Sequence, residues 1–156
     1  MRTGWNVLLQ IGALVAFLGL RVLAPGWFLV IVVITIVPAV LLLVPTVLSL
    51  VVIRRRVLTR AVSAPFVACA ATLVLTGLVM PDFGDTADSV RAPVQVLLGI
   101  SAPDVATLLQ VPGMLFVLGW IASLLWLCVA LIATSRMARR RRAPAPPHPT
   151  WQQPTG

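Results

Sequence analysis

The sequence predicts an all-α integral membrane protein with four transmembrane helices. The chain of 156 residues is 60% hydrophobic and only 10% charged, and its mean hydropathy is +1.04. Soluble domains are about 45–50% apolar and about 25% charged, so lipid is the expected solvent for most of this chain. Four apolar runs lie between residues 7 and 134, and each is long enough to cross a bilayer core of about 30 Å as a helix.

The first predicted span covers residues 7–23 and contains Arg21 near its outer end. A signal-peptide core has a similar length. Pro25 would follow the cleavage site directly, however, so we expect an uncleaved span. A long arginine side chain near a helix end usually reaches the membrane interface, and we expect Arg21 to do so.

The second predicted span, residues 27–52, carries no charge and contains Pro38 and Pro45. Each proline removes a helical hydrogen bond. Packing kinks are the interpretation that we prefer. The alternative is a helix broken at a substrate site, as in transporters.

The third and fourth predicted spans, residues 61–80 and 113–134, both carry small residues at four-residue spacing. These residues are Ala64, Ala68, Thr72 and Thr76 in the third span, and Gly119 and Ser123 in the fourth. Small side chains let membrane helices approach closely. We therefore expect a helix-packing interface there, either inside the protein or with a partner. Trp120 and Trp126 lie well inside the fourth span, and we expect both to pack against other helices.

The loop between these spans, residues 81–112, is predicted to be extracytoplasmic and partly ordered. All four acidic residues of the chain lie in it, but their spacing does not match a calcium-binding loop. We interpret most of them as helix-capping or first-turn residues. The predicted cap residues are Asp85 and Asp88 for a helix that ends before Pro93, and Ser101 and Asp104 for one that runs to about Gln110 and is stopped by Pro112. Asp82 is expected in a turn, and a cation or partner site remains the alternative.

The arginines predict the orientation of the chain. Nine of them border the predicted inner ends of the spans: Arg54, Arg55, Arg56, Arg60, Arg136, Arg139, Arg140, Arg141 and Arg142. Loops rich in arginine stay in the cytoplasm, so both termini are predicted to be cytoplasmic. These arginines can also bind anionic lipid at the inner face. Residues 135–156, basic and then proline-rich, are predicted to form a disordered tail after a transmembrane domain of residues 1–134.

The chain shows no set of residues that predicts catalysis, a cofactor or a metal. Cys69 and Cys128 are expected to be structural, and nothing outside the membrane is available to bind nucleic acid. The absence of lysine suggests a GC-rich bacterial genome, and hence the inner cell membrane. We expect a small accessory, scaffold or assembly subunit that acts by association with a protein partner or with itself. The alternative is a small oligomeric transporter or pore, exporter-like or holin-like, without a charged coupling residue inside its spans.

Overall fold

The structure, a computed structural model, describes residues 3–24, 26–52, 58–82, 90–101 and 103–141. Within these ranges the regular elements are all helices. They are α1 (Thr3–Leu23), α2 (Trp27–Ile34), α3 (Ile36–Val51), α4 (Arg60–Val79), α5 (Pro93–Leu98) and α6 (Pro103–Arg141). The predicted all-α class is confirmed.

Three of these helices are long and apolar enough to cross a membrane: α1, α4, and α6 between Asp104 and Met137. α1 and α4 contain 21 and 20 residues. Each is therefore about 30 Å long at 1.5 Å per residue, which matches the thickness of a hydrocarbon core. α3 is also apolar but has only 16 residues. The molecule thus has the helices expected of a membrane protein.

The second predicted span consists of two helices rather than one kinked helix. α2 ends at Ile34, Thr35 is extended (φ −99°, ψ 116°), and α3 begins directly after it. Pro38 explains the position of the break. In a continuous helix its ring would press on the carbonyl group of Ile34 and leave that carbonyl without an N–H donor. Pro45 lies inside α3 without ending it. The expectation of one continuous helix over residues 27–52 is therefore wrong at Thr35.

α6 is a single helix of 39 residues, where the sequence predicted a short loop helix, a stop at Pro112 and a separate span. Pro112 lies inside the helix, where it removes one hydrogen bond. The next turn packs closely on α4, because a Cβ atom added to Gly113 would lie 2.8 Å from the Cα atom of Met80. The predicted stop is therefore wrong. The helix also continues past Thr134 to Arg141, into the segment predicted to be disordered.

α5 forms part of the predicted outer loop and packs against α1 and α4. Its first residue is Pro93, which suits the first turn of a helix because that turn needs no N–H donor there. The side chain of Gln95 accepts a hydrogen bond from the backbone N–H of Ala92 at 2.8 Å. Gly99 ends the helix in the left-handed conformation (φ 67°), which glycine adopts without steric cost.

α1 and α4 run in the same direction. Gln10 near the start of α1 contacts Phe66 near the start of α4, and Arg21 near the end of α1 contacts Thr76 near the end of α4. Parallel helices joined in sequence require the chain to return between them. The segment that contains α2 and α3 therefore travels back along the bundle.

α6 runs antiparallel to α4, with Gly113 beside Met80 and Ser123 beside Thr72. Two buried apolar clusters fill the bundle. The first consists of Ala13, Phe17, Val32, Leu42, Ala70 and Leu73. The second, nearer the start of α4, consists of Val52, Leu58, Val62, Phe66, Cys69 and Leu127. Cys69 is thus a buried core residue, whereas Cys128 is exposed.

Candidate functional site

One face of α1 is both polar and buried. Its buried residues follow one another at helical spacing: Thr3, Asn6, Gln10, Ala13, Phe17 and Arg21. Polar side chains of an apolar helix turn toward the protein because lipid offers them no hydrogen bonds. The Gln10 amide donates to the backbone oxygen of Phe66 at 2.9 Å. Asn6 is fully buried, and its amide has no hydrogen-bond partner among the described residues.

Arg21 and Asp82 form a buried ion pair where α1 and α4 end. Their exposed fractions are 0% and 3%, and Nη1 of Arg21 lies 3.8 Å from Oδ2 of Asp82. Nη2 of Arg21 donates to the backbone oxygen of Thr76 at 3.1 Å. The guanidinium group also lies 5.7 Å from the centre of the Phe17 ring, within cation–π distance.

The expectation that Arg21 reaches the membrane interface is therefore wrong. An isolated arginine must reach water because an unpaired buried charge is very unfavourable. Here Asp82, the Thr76 carbonyl and the Phe17 ring together surround the guanidinium group. Asp82 is held in place by its backbone N–H, which donates to the backbone oxygen of Arg91 at 3.1 Å.

A cavity of about 180 Å³ lies beside this ion pair, between α1, α3, α4 and α6. Its lining residues are Phe17, Pro38, Leu41, Leu42, Leu73, Thr76, Val117 and Trp120. Phe17 and Thr76 of this lining also contact Arg21, but neither Arg21 nor Asp82 lines the cavity. The Thr76 hydroxyl donates to the Thr72 carbonyl of its own helix at 2.8 Å. The cavity is therefore essentially apolar.

The predicted helix-packing residues of α4 divide between the interior and the surface. Thr76 is buried, Thr72 and Ala68 are half-buried, and Ala64 is exposed. The helical geometry explains this division, since steps of four residues turn about 400° and rotate the stripe by about 40° each time. The stripe therefore passes from the outer side of α4 to its inner side.

The inner part of the stripe meets the predicted residues of α6. The hydroxyl oxygens of Thr72 and Ser123 lie 3.4 Å apart. A Cβ atom added to Gly119 would lie 3.5 Å from the Thr72 methyl carbon, an ordinary van der Waals distance. Both hydroxyl groups also donate to carbonyls of their own helices. Thr72, Gly119 and Ser123 thus form an internal contact.

Two other glycines lie at close helix approaches. A Cβ atom on Gly77 would lie 2.9 Å from the Phe17 ring, where α4 meets α1, and one on Gly113 would press on Met80, where α4 meets α6. The four-residue pattern did not identify either glycine. They belong to no small-residue stripe, and their importance depends on the opposing backbone.

The predicted cap residues are only partly described. Asp85 and Asp88 lie within residues 83–89, outside the described ranges. Asp104 is exposed in the first turn of α6. With Ser101 as the N-cap residue, the helix would start at residue 102. α6 instead starts at Pro103, one residue later than predicted. The described residues contain no group of three or more His, Cys, Asp or Glu side chains that could hold a metal ion.

The apolar middle of the outer loop is anchored at its start and exposed at its end. Ala92, Pro93 and Gln95 are buried against the bundle, whereas Leu97 and Leu98 are 56% and 66% exposed. The loop therefore folds onto the helix ends, and the remaining part of its apolar surface is left uncovered by the described chain.

The described arginines of the predicted inner side lie at one end of the bundle. Arg60 is the first residue of α4, and Arg136 and residues 139–141 lie in the last turns of α6. Since α6 runs antiparallel to α4, these residues lie at the same end. Residues 54–56 and Arg142 lie outside the described ranges.

The two tryptophans of α6 have different environments. Trp120 is half-buried, packs against the first core cluster and lines the cavity. Trp126 is 50% exposed on the outer side of α6. The expectation that Trp126 packs against another helix is therefore wrong within this chain.

The ion pair could have been found from the sequence. Arg21 and Asp82 follow two apolar runs that the predicted threading brings to the same side of the membrane. Opposite charges at neighbouring helix ends are candidates for pairing. The burial of Asn6 and Gln10 was less predictable, since their inward direction depends on how α1 rotates against α4.

No protein-family model, curated protein or solved structure matches the chain. The function is therefore inferred from the geometry of the chain itself.

Proposed function

We propose that this protein is a four-span membrane subunit that acts by association with another helix-bearing chain and has no catalytic activity of its own. The proposed location is the inner cell membrane of a bacterium. The returning segment of α2 and α3 would be the fourth span, and both termini would be cytoplasmic.

The observation that carries this proposal is an exposed alanine face on α4. Ala61, Ala64 and Ala71 are exposed, and Ala68 is half-buried beside them. Steps of three, four and three residues keep these four alanines on one side of the helix. α4 is also the central helix of the bundle, since it packs against both α1 and α6.

The outer side of α6 provides a contrast. Its exposed residues are mostly large, including Leu115, Leu118 and Leu125 at 57–64% exposure. Large side chains can pack against lipid tails. Small ones instead allow another backbone to approach closely, which drives helix association where the hydrophobic effect is absent. The alanine face therefore fits a second helix better than it fits lipid.

The basic end of α6 supports the proposed cytoplasmic position of the C-terminus, where arginines can bind the inner membrane surface. Counting from the Gly113–Met80 contact, Ala133 is level with Arg60. The last eight residues of α6, about 12 Å of helix, therefore project past the start of α4. Each arginine near an anionic surface contributes about 1 kcal/mol of attraction. We expect no nucleic acid partner.

Replacing Ala64 and Ala71 by leucine tests the association. Both residues are exposed, so Ala64→Leu with Ala71→Leu should leave the fold intact and separate the two backbones at the interface. Overpacking of about 1–3 kcal/mol weakens association by about fivefold or more. The wild type should form an assembly larger than the 16.7 kDa chain in detergent, measured by light scattering, and the variant should dissociate from it.

Ala122→Leu is the matched control. Ala122 is an exposed alanine of α6, and counting from the Gly113–Met80 contact places it level with Ala71. The same substitution at the same depth should leave the assembly unchanged. An identical assembly mass for all three proteins, or a monomeric wild type with no co-purifying partner, would show that association is not the function.

A transporter or pore is the second candidate. The break at Thr35 favours it, since discontinuous helices commonly border substrate sites in transporters, and Pro38 lines the cavity close to that break. Vesicles that contain the purified protein distinguish the pore from an accessory subunit. A pore would release a trapped fluorescent dye, and unchanged retention would count against it.

A further inference from the structure

The cavity between α1, α3, α4 and α6 opens sideways. α1 packs against α3 and α4, and α4 packs against α6, but α3 and α6 scarcely contact each other among the described residues. The opening therefore lies between α3 and α6. Leu41 of α3 lines the cavity and is 45% exposed, and Val117 and Trp120 of α6 line it while only half-buried. In a bilayer this side would face the lipid tails.

The lining of the cavity selects an apolar occupant. Its walls are leucine, valine, proline and aromatic side chains, and the Thr76 hydroxyl is already bonded to its own helix. Water needs two to four polar partners to occupy a cavity, and apolar cavities of about 150 Å³ stay dry and bind small hydrocarbons. At about 180 Å³ this cavity is slightly larger than the cavity of about 150 Å³ that binds benzene, so it can hold a hydrocarbon segment of about six carbons.

We propose that this cavity is a binding site for an acyl chain of a bilayer lipid, which enters between α3 and α6. An acyl chain matches the apolar walls and the lateral opening, and it is present at high concentration on that side. The occupied cavity would link α3 to α6, which scarcely contact each other in the part of the chain that the structure describes. This site lies apart from the alanine face of α4, so its existence does not depend on the proposed association.

Quenching of Trp120 fluorescence by brominated acyl chains tests the site. The protein needs Trp120 as its only tryptophan, which requires four substitutions: Trp5→Phe, Trp27→Phe, Trp126→Phe and Trp151→Phe. In vesicles of a phospholipid with brominated acyl chains, a chain inside the cavity contacts Trp120. Although Trp120 is half-buried, its quenching should approach that of a Trp126-only protein, whose tryptophan is exposed on the same helix.

Variants of Leu42 separate the cavity from general lipid contact. Leu42 is buried and lines the cavity. Leu42→Phe should fill the cavity and reduce Trp120 quenching by about twofold or more, since close-packed interiors exclude additional groups. Leu42→Ala should enlarge the cavity and increase the quenching. Leu43→Phe is the control, because Leu43 is 46% exposed and lies outside the cavity lining.

Each result decides the proposal. If Leu42→Phe does not fold, Leu42→Ala still has to raise the quenching of Trp120. The proposal is wrong if Trp120 is hardly quenched in the parent protein, or if neither Leu42 variant changes its quenching relative to Leu43→Phe. It is also wrong if free bromobenzene quenches Trp120 while brominated lipid does not, since the site would then take small apolar molecules instead.

Discussion

Arg21 and Asp82 fix the way in which α1 and α4 meet at one end of the bundle. The guanidinium group contacts the carboxylate, the backbone oxygen of Thr76 and the Phe17 ring, so it joins α1 to α4 and to the loop that follows. A buried pair contributes little net stability compared with apolar residues of the same size, but loss of one partner is costly. We therefore expect the pair to favour one arrangement of the helices over others and to add little to the overall stability of the protein.

Asp82→Asn should destabilise the protein strongly, because it removes the carboxylate that pairs with the buried charge of Arg21. The expected loss is about 3–5 kcal/mol in the free energy of unfolding, measured by denaturant unfolding in detergent. The double variant Asp82→Asn with Arg21→Met should recover most of this loss. Asp104→Asn is the control, since Asp104 is exposed. Equal stability of the Asp82→Asn and Asp104→Asn variants would contradict a structural role for the pair.

At the scale of helices, length and apolarity predicted α1 and α4 well, since both depend on local composition. Two prolines and one glycine that shape the other elements were harder to interpret from the sequence. Pro38 lies in the first turn of α3, directly after a break between two helices, whereas Pro112 lies inside an unbroken helix. A proline has the same local effect in both places, so the outcome depends on packing partners distant in sequence. Gly113 lies against the Met80 backbone, and no local pattern shows that contact.

Gly113→Ala and Gly119→Ala provide a matched test of helix packing between α4 and α6. An added Cβ atom would lie 2.8 Å from a backbone atom at Gly113, but 3.5 Å from a side-chain methyl group at Gly119. Gly113→Ala should therefore cost about 1–3 kcal/mol through overpacking. Gly119→Ala should be neutral or stabilising by up to about 1 kcal/mol, because alanine favours the helix. Melting midpoints in detergent measure both changes in stability. A lower midpoint for Gly119→Ala than for Gly113→Ala would contradict the close contact between Gly113 and Met80.

At the scale of the whole molecule, the two ends of the bundle differ in charge. The described chain places Arg60, Arg136 and residues 139–141 at one end, with no acidic residue among them. At the other end Arg21 is balanced by Asp82, and the remaining described charges are Arg91 and Asp104, one of each sign. The described charges of this second end therefore sum to zero, whereas those of the first end are all positive.

This charge difference predicts the orientation, since the arginine-rich end of a membrane protein stays in the cytoplasm. Single cysteines can test it in a background with Cys69→Ala and Cys128→Ala. Ser101→Cys and Met137→Cys suit the test because both residues are exposed and lie at opposite ends of α6. An impermeant thiol reagent should label Ser101→Cys in intact cells and Met137→Cys only after lysis. The reverse pattern would place the basic end outside. Labelling of both positions in intact cells would show that α6 does not cross the membrane, because its two ends would then lie on one side.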